Sequence, residues 1–332
     1  MTVPFKGPTP GRLNSPAAPG CNVSVIIPSF NAREHLRDCI RAVVSSAAGF
    51  AEEVLVIDNA STDGSPEAIE AEFAGVRVVR NTNNSGFAGA VNQGLKLASG
   101  QYLMLLNSDV IIRDNTIEQL MHFLGKHPEA AAAGPKVLNP DGTLQNKGYF
   151  FPSVGYSLIV LFGLNRLLPE GLKRRLFPGF YWNENEVRPV DYLEGSCIMI
   201  RRDTLEEAGL FPENYFMYFE EAEWFFRTAK MGRRAWYMPD AEIIHIGRAS
   251  PLNERNAVFD RSLLLFFRRN IGQCRGSLIV ILQLIATALD SLLGISSENS
   301  NKTLLKQQMK QQFFLLKGLV FAGSREQKEK NA

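Results

Sequence analysis

No two of the four cysteines stand close enough to form a CxxC pair; Cys21, Cys39, Cys197 and Cys274 are scattered over 332 residues. That spacing excludes a cysteine-built zinc cluster and offers no disulfide framework, so a reducing cytosol is the expected compartment. Neither sign of charge dominates: 36 lysines and arginines face 34 acids, a net charge of +2. Such a balance argues against a dedicated nucleic-acid binder. There is no GxGxxG, so a Rossmann dinucleotide site has no support. The first twenty residues hold five prolines and three glycines but no apolar run. They are expected to form a flexible leader and not a secretory signal. The charge-free stretch Ser277–Leu289 has thirteen residues, short of the roughly 20 that a bilayer span needs. What the chain does have is apolar material for a core, 45% hydrophobic residues against 21% charged.

That material is distributed in a βαβ rhythm. Tyr102–Asp109 (YLMLLNSD) is a continuous apolar run ending in Asn107-Ser108-Asp109. A run of this kind fits a strand covered on both faces of a parallel sheet. Asn22–Pro28 and Glu53–Asp58 read as two further strands, and Val76–Val79 as a short one. Helices are expected from Asn31, acting as a cap, through Val43, then over Pro66–Phe73 and Phe87–Ala98. Strands and helices alternating through short loops predict an α/β fold. In such sheets ligands bind beyond the carboxyl ends of the strands. Three strand ends deliver Ser29-Phe30-Asn31, Asp58-Asn59 and Asn107-Ser108-Asp109 to one edge. Taken singly, each is an ordinary turn or cap. Together they suit a nucleotide: Phe30 to pack on a base, a carboxylate or amide to accept an imide N–H, and Asp109 to hold a hard cation.

Further along, Asn139-Pro140-Asp141-Gly142 reads as a turn between short strands. Phe151–Trp182 mixes aromatics with Arg166, Lys173, Arg174 and Arg175, which suits either an insertion with a solvated rim or a surface for anionic lipid. Val190–Arg201 reads as one strand interrupted by Gly195-Ser196. Phe216–Met231 reads as a helix with Phe219, Ala222, Phe226 and Ala229 on its apolar face. Glu220, Glu221 and Glu223 crowd its first turns, where the helix dipole alone favours acids. Glu223 and Arg227 have the spacing of an i,i+4 pair. The chemical alternative is that one of the glutamates removes a proton from an acceptor hydroxyl. Arg233–Ile246 is a last strand region that carries His245. That histidine is either structural or completes the site that Asp109 begins.

Seven ordered motifs now stand together: VIIPSFNA (Val25–Ala32), VIDNASTDGS (Val56–Ser65), NNSGFAGAVNQGL (Asn83–Leu95), LLNSD (Leu105–Asp109), EGSCIMIRR (Glu194–Arg202), FMYFEEAEW (Phe216–Trp224) and PDAEIIH (Pro239–His245). With them the chain resembles the family 2 inverting glycosyltransferases, and most of all their bacterial rhamnosyltransferase-like branch, over roughly residues 23–272. The resemblance implies a GT-A type, Rossmann-like nucleotide-sugar-binding domain with a mostly parallel central sheet, over 21–272, followed by a helical extension over 273–332. It implies that Pro28, Phe30, Asp58 and Asn59 line a nucleoside pocket and that Asn84, Phe87 and Asn92 border the nucleotide-sugar. Asn107 and Asp109 match an Asp-x-Asp-like triplet, and Asp109 and His245 would hold a divalent metal, Mg²⁺ or Mn²⁺. Glu221 falls at the catalytic base, where the family usually carries aspartate; Glu220 and Glu223 are its neighbours in a Glu-Glu-Ala-Glu run. The expected reaction is inverting transfer from a dTDP- or UDP-linked sugar to a glycan or polyprenyl-diphosphate-linked acceptor. The competing expectation is a nucleotide-sugar-binding protein without turnover.

The C-terminal stretch carries Arg268, Arg269 and Arg275 ahead of Ser277–Leu289. Lys302–Phe321 then sets Leu305, Met309, Phe313, Leu316 and Val320 along one stripe. This predicts a monotopic contact with the cytoplasmic face of the cell membrane. The rival expectation is a helical hairpin packed on the catalytic domain or on a second copy in a homo-oligomer.

Overall fold

The computed structural model describes residues 22–46, 52–113, 115–146, 148–161, 169, 171–172, 182–247, 252–292 and 309–320. The chain divides into two compact units, Met1–Tyr149 with Asn183–Ala249, and Phe150–Trp182 with Ser250–Ala332. The helical part therefore begins earlier than residue 273 and takes in a segment from the middle of the chain. The leader and the Arg166, Lys173–Arg175 cluster lie outside the described residues.

The first unit is built on a ten-stranded sheet of β1 (Val23–Ser29), β2 (Glu52–Asp58), β3 (Val76–Arg80), β4 (Tyr102–Leu106), β5 (Val110–Ile112), β6 (Ala130–Leu138), β7 (Leu144–Asn146), β8 (Arg188–Val190), β9 (Cys197–Arg201) and β10 (Arg234–His245). The strand order is β3-β2-β1-β4-β9-β6-β10-β5, with β7 on β6 and β8 on β10. The two longest registers, β1 with β2 and β6 with β10, are parallel. β9 enters antiparallel between β4 and β6 and joins the two parallel halves. The expected single strand over Val190–Arg201 is thus two, β8 and β9. The residues between them leave the sheet at Glu194-Gly195, beside the strand ends.

Helices α1 (Arg33–Ser46), α2 (Ser65–Glu72), α3 (Gly86–Leu97) and α4 (Thr116–Lys126) supply the crossovers. Leu36, Cys39, Ile40 and Val43 of α1 pack with Val25, Ile27, Val54 and Val56 in one core cluster. The alternate residues Ile26 and Ile57 meet α3 at Gly94. Both sheet faces are covered, which is why the strands read as unbroken apolar runs. Asn31 does not cap α1. Its backbone is left-handed, at φ 48°, and its side chain accepts the Thr62 N–H. Asp63 caps from the neighbouring turn, its Oδ2 accepting the Arg33 N–H at 3.0 Å. The later helices of this unit are α6 (Arg202–Ala208) and α7 (Glu220–Lys230). Helix α7 starts four residues after the expected Phe216, because Tyr218 and Phe219 sit at φ 70° and 69°, outside the helical region. Its buried side is Glu220, Ala222, Glu223, Trp224, Phe225 and Thr228, a stripe rotated from the predicted one; Ala229 is exposed.

In the second unit, α5 (Val154–Leu161) packs on α9 (Gln273–Leu292), and α8 (Leu252–Phe266) runs into a π-helical turn, Phe267–Ile271. Phe267, Ile279 and Val280 form a small core with Leu315 and Leu319 of α10, over 309–320.

Gly94 is where α3 comes closest to the sheet. A Cβ there would overlap Ile26 Cγ2 and stand 3.3 Å from Ile57 Cγ1. Alanine gains up to about 1 kcal/mol over glycine in a helix interior. Overpacking a rigid core costs about 1–3 kcal/mol. Both isoleucines are fully buried, so the second effect dominates. Gly94→Ala is expected to lower the urea midpoint with an unchanged slope; a raised midpoint would refute the close packing.

Candidate active site

The parallel register sets Ser29 level with Asp58, and β4 ends beside them. Pro28 lacks an N–H to donate, and the β1–β4 ladder stops at Ile26–Leu105, before a bond from it would be needed. Phe30, just past the strand, is half exposed. Asp58 is buried; its Oδ2 accepts the Ser61 N–H at 3.1 Å, while its Oδ1 is shielded from solvent and has no partner. A buried acceptor without a donor is costly unless a ligand supplies one.

Asn59 is committed to the protein. Its Nδ2 donates to the Gly86 carbonyl at 3.1 Å, and its Oδ1 accepts from Asn81 Nδ2 and Ser85 Oγ. The Asn84 side chain accepts the Gly86 N–H at 2.9 Å. Together they hold the loop before α3. Phe87 then donates its N–H to the Phe216 carbonyl, and its ring lies 3.4 Å from the position of a Cβ on Gly195. Asn92 sits deeper. Its amide donates to the Phe211 carbonyl and Glu213 and accepts the Phe211 N–H, so it braces that loop from inside the core.

β5 and β10 pair antiparallel with His245 opposite Val110, so His245 meets Asp109. His245 Nε2 lies 3.3 Å from Asp109 Oδ1, and Asp109 Oδ2 accepts the Gly247 N–H at 3.1 Å. Burial opposes ionisation of Asp109, but the His245 side chain and the backbone N–H groups outweigh it and hold the carboxyl below its usual range. Asn107 stands at the end of β4, its N–H on the Ser196 carbonyl. The donor set suits a divalent cation. Two ligands at about 2.1 Å and at right angles on an octahedral ion stand about 3 Å apart, close to the spacing seen here. Among the described residues no set of three acidic, histidine or cysteine side chains converges on one point. A cation held here would therefore take its remaining ligands from water and from the substrate.

On α7, Glu223 turns inward and accepts the Tyr215 hydroxyl at 2.6 Å, and Arg227 donates to the Ala208 and Leu210 carbonyls. Glu220 and Glu221 remain as a pair. Each has an Oε2 shielded from solvent and without a partner. Burial pushes the Glu220 carboxyl well up, and the Glu221 charge adds to it. Burial raises Glu221 to about 7, against the pull of backbone N–H groups that include Gly195. A side-chain hydrogen bond between the two raises Glu220 and lowers Glu221, so they titrate as a pair. Two residues stand out that sequence reasoning passed over. Glu194, the first letter of EGSC, stands 3.9 Å from His245 Nδ1 and adds negative charge near Glu221. Gln145, three residues past the Asn-Pro-Asp-Gly turn, accepts from His245 Nδ1 at 2.7 Å.

A glutamate whose folded pKa is raised from 4.5 to about 7 binds its proton more tightly folded than unfolded. Its share of stability is present below the unfolded value and is lost as pH rises through the folded one. Glu221→Gln removes that titration. The stability of the variant relative to the wild type should therefore rise between about pH 5 and pH 8 in urea unfolding. Parallel pH curves would contradict the raised pKa.

The glycosyl transferase family 2 model matches residues 24–209. The N-acetylglucosaminyl-diphospho-decaprenol L-rhamnosyltransferase of Mycobacterium tuberculosis is 31% identical over 206 residues, 58% of this chain and 66% of that protein. The low-salt glycan biosynthesis hexosyltransferase Agl10 of Haloferax volcanii is 26% identical over 63% of this chain and 62% of its own. The chain thus spans just under two thirds of these relatives. Among solved structures, a mannosyltransferase of Pyrobaculum calidifontis in complex with GDP-Man and Mn²⁺ superposes with a TM-score of 0.59, at 17% identity, over 90% of this chain and 86% of its own. GalNAc-T7 with UDP, GalNAc and Mn²⁺ gives 0.57 at 18% identity, over 88% of this chain and 55% of its own. These likenesses bear on the fold, which is of the GT-A type. The family model covers more than half of the residues, and with the ordered strand ends it accounts for the architecture: the chain belongs to glycosyl transferase family 2.

Proposed function

We propose that the protein transfers a sugar, with inversion, from a nucleoside-diphosphate sugar to a hydroxyl of a glycan or polyprenyl-diphosphate-linked acceptor. Likeness to a relative named as an N-acetylglucosaminyl-diphospho-decaprenol L-rhamnosyltransferase supports rhamnose as the sugar; we propose dTDP or UDP as its carrier. The observation that carries the reading is Glu221, a carboxylate with one shielded, unpartnered oxygen, raised to about 7 by burial, with the nearby Glu194 charge adding to the rise. A general base is most effective with its pKa near the working pH.

In this reading Asp58 Oδ1 accepts the imide N–H of the base, with Phe30 and Pro28 against its ring. Asn59 and Asn84 shape the loop that borders the donor, and Phe87 packs at its edge. Asp109 and His245 would hold a divalent cation, Mg²⁺ or Mn²⁺, with Asn107 at the same strand end; such an ion would supply positive charge for the departing diphosphate. Glu221 takes the acceptor proton while the acceptor oxygen bonds to the anomeric carbon. The bond from that carbon to the diphosphate breaks, and its electron pair leaves with the diphosphate. Glu220 stands next to the base, and Glu223 braces α7 through Tyr215.

Transfer should cease in excess chelator and return with Mg²⁺ or Mn²⁺, and Asp109→Ala should be inactive. Glu221→Gln should cut turnover by about 10²–10⁴-fold with donor binding retained. Donor binding without transfer by the wild type, to any acceptor, would instead identify a binding protein.

The second unit supports the membrane-facing part of the proposal. Leu278, Ile281, Ile285 and Leu289 form an exposed apolar stripe along α9. Its opposite side, through Ile279 and Val280, packs in the core, and Phe313 and Val320 of α10 are exposed as well. Arg268, Arg269 and Arg275 are exposed at the head of α9. No described helix is long and apolar enough to cross a membrane. Apolar area flanked by cations suits an anionic lipid surface on the cytoplasmic side. The protein should sediment with phosphatidylglycerol vesicles, less so in high salt. Ile281→Glu with Ile285→Glu should abolish sedimentation and leave transfer to a soluble acceptor intact. Sedimentation unchanged by the double substitution would exclude this face.

A further inference from the structure

The turn between β6 and β7 carries a chain of hydrogen bonds with a fixed direction. Asp141 is held below its usual range by the Thr143 hydroxyl, so it is ionised and can only accept. Thr143 Oγ donates to Asp141 Oδ1 at 2.6 Å. Its lone pair accepts from Asn139 Nδ2 at 3.0 Å. That fixes the Asn139 amide, whose Oδ1 accepts from Gln145 Nε2 at 2.9 Å. The same Nε2 donates to the backbone carbonyl of His245 at 3.1 Å, and a carbonyl can only accept. Both contacts orient the Gln145 amide the same way. Its Oε1 is left facing His245 Nδ1 at 2.7 Å. An amide oxygen has no proton to give, so Nδ1 carries the hydrogen. With the hydrogen on Nδ1 committed to Gln145, Nε2 is the ring nitrogen turned to Asp109 Oδ1, 3.3 Å away. A positive charge between the two, a proton on Nε2 or a cation in its place, satisfies both.

We infer that Gln145 is a positioning residue: its amide keeps the hydrogen of His245 on Nδ1 and so assigns Nε2, the nitrogen turned to Asp109, to ligate a divalent cation. The inference rests on the metal site proposed above. Outer-shell partners of this kind orient the ring and raise its basicity as a ligand. Glu194 Oε1, at 3.9 Å from Nδ1, is too distant to take over the bond.

The test uses the full chain with ¹⁵N-labelled histidine, the His245 ring signals being assigned by their loss in His245→Asn. At a pH high enough to leave a single ring proton, that proton should sit on Nδ1, and Mg²⁺ should shift the Nε2 resonance. Gln145→Met keeps the length and removes the acceptor. It should release the tautomer and weaken Mn²⁺ binding, followed by electron paramagnetic resonance, by about 10–100-fold. Gln145→Glu still accepts from Nδ1 but no longer donates to Asn139 or the His245 carbonyl. It should keep the tautomer and the affinity; a merely structural glutamine would fail equally in both variants. An Nε2–H wild type, or Gln145→Met with unchanged tautomer and affinity, overturns the inference. An Nδ1–H ring that ignores both Mg²⁺ and Mn²⁺ overturns its cation half and the proposed metal site, while leaving the tautomer control in place.

Discussion

The pairing of His245 with Val110 across β5 and β10 is the contact on which the site depends. Asp109 arrives at the end of the parallel half, through β4. His245 arrives from the other half, at the end of the strand that lies parallel to β6. Neither half could form the pair alone. The antiparallel β9 joins the two, pairing with β4 on one side and with β6 on the other. The Glu194-Gly195 segment that precedes it lies at the same edge, with Glu194 toward His245 and the Gly195 N–H on Glu221. One insertion in the sheet thus sets the distance between the Asp109–His245 pair, proposed to bind a cation, and the Glu220–Glu221 pair, proposed to hold the base.

Magnitudes separate the two explanations for the acids of α7. Attraction to a helix N-terminus stabilises an exposed carboxylate by about 0.3–1 kcal/mol. Leaving a buried polar atom without a partner costs about 1–3 kcal/mol, and more for a charged group. Glu220 and Glu221 each carry one such atom. The dipole alone does not offset that cost, so their placement works against stability and asks for a chemical reason. Glu223 is the contrast. Its carboxylate is satisfied by Tyr215, and its position is explained by packing.

The parallel strands and the edge carrying Asp58 and Asp109 were legible because burial on both faces leaves an unbroken apolar run with a polar stop. The start of α7 was not: Tyr218 and Phe219 adopt a left-handed backbone that side chains of their type rarely take, and nothing in FMYFEEAEW signals it. Val190–Arg201 read as one strand with an interruption at Gly195-Ser196 because both of its ends have strand composition; the interruption is instead a full break between β8 and β9. Asn59 and Asn92 were matched to the donor pocket, yet their amides are engaged by loops that lie distant in sequence. A local reading cannot tell an asparagine that binds a ligand from one that binds a remote carbonyl. Gln145 escaped notice for the same reason, its partner being 100 residues away.

Each compact unit is assembled from two separate stretches of chain. On a ribosome adding about 5–20 residues per second, this imposes an order. Helix α5 emerges long before α9, the helix it packs on. The β1–β4 half of the sheet is likewise complete before β8, β9 and β10 exist to close it. An apolar helix and an open sheet edge must both wait in the nascent chain. The sheet-containing unit cannot finish until the intervening segment has been made, and the helical unit cannot finish until its last helices have. Cutting away the last helices would therefore strand α5, and the two activities proposed for this protein are better separated by surface substitutions than by truncation.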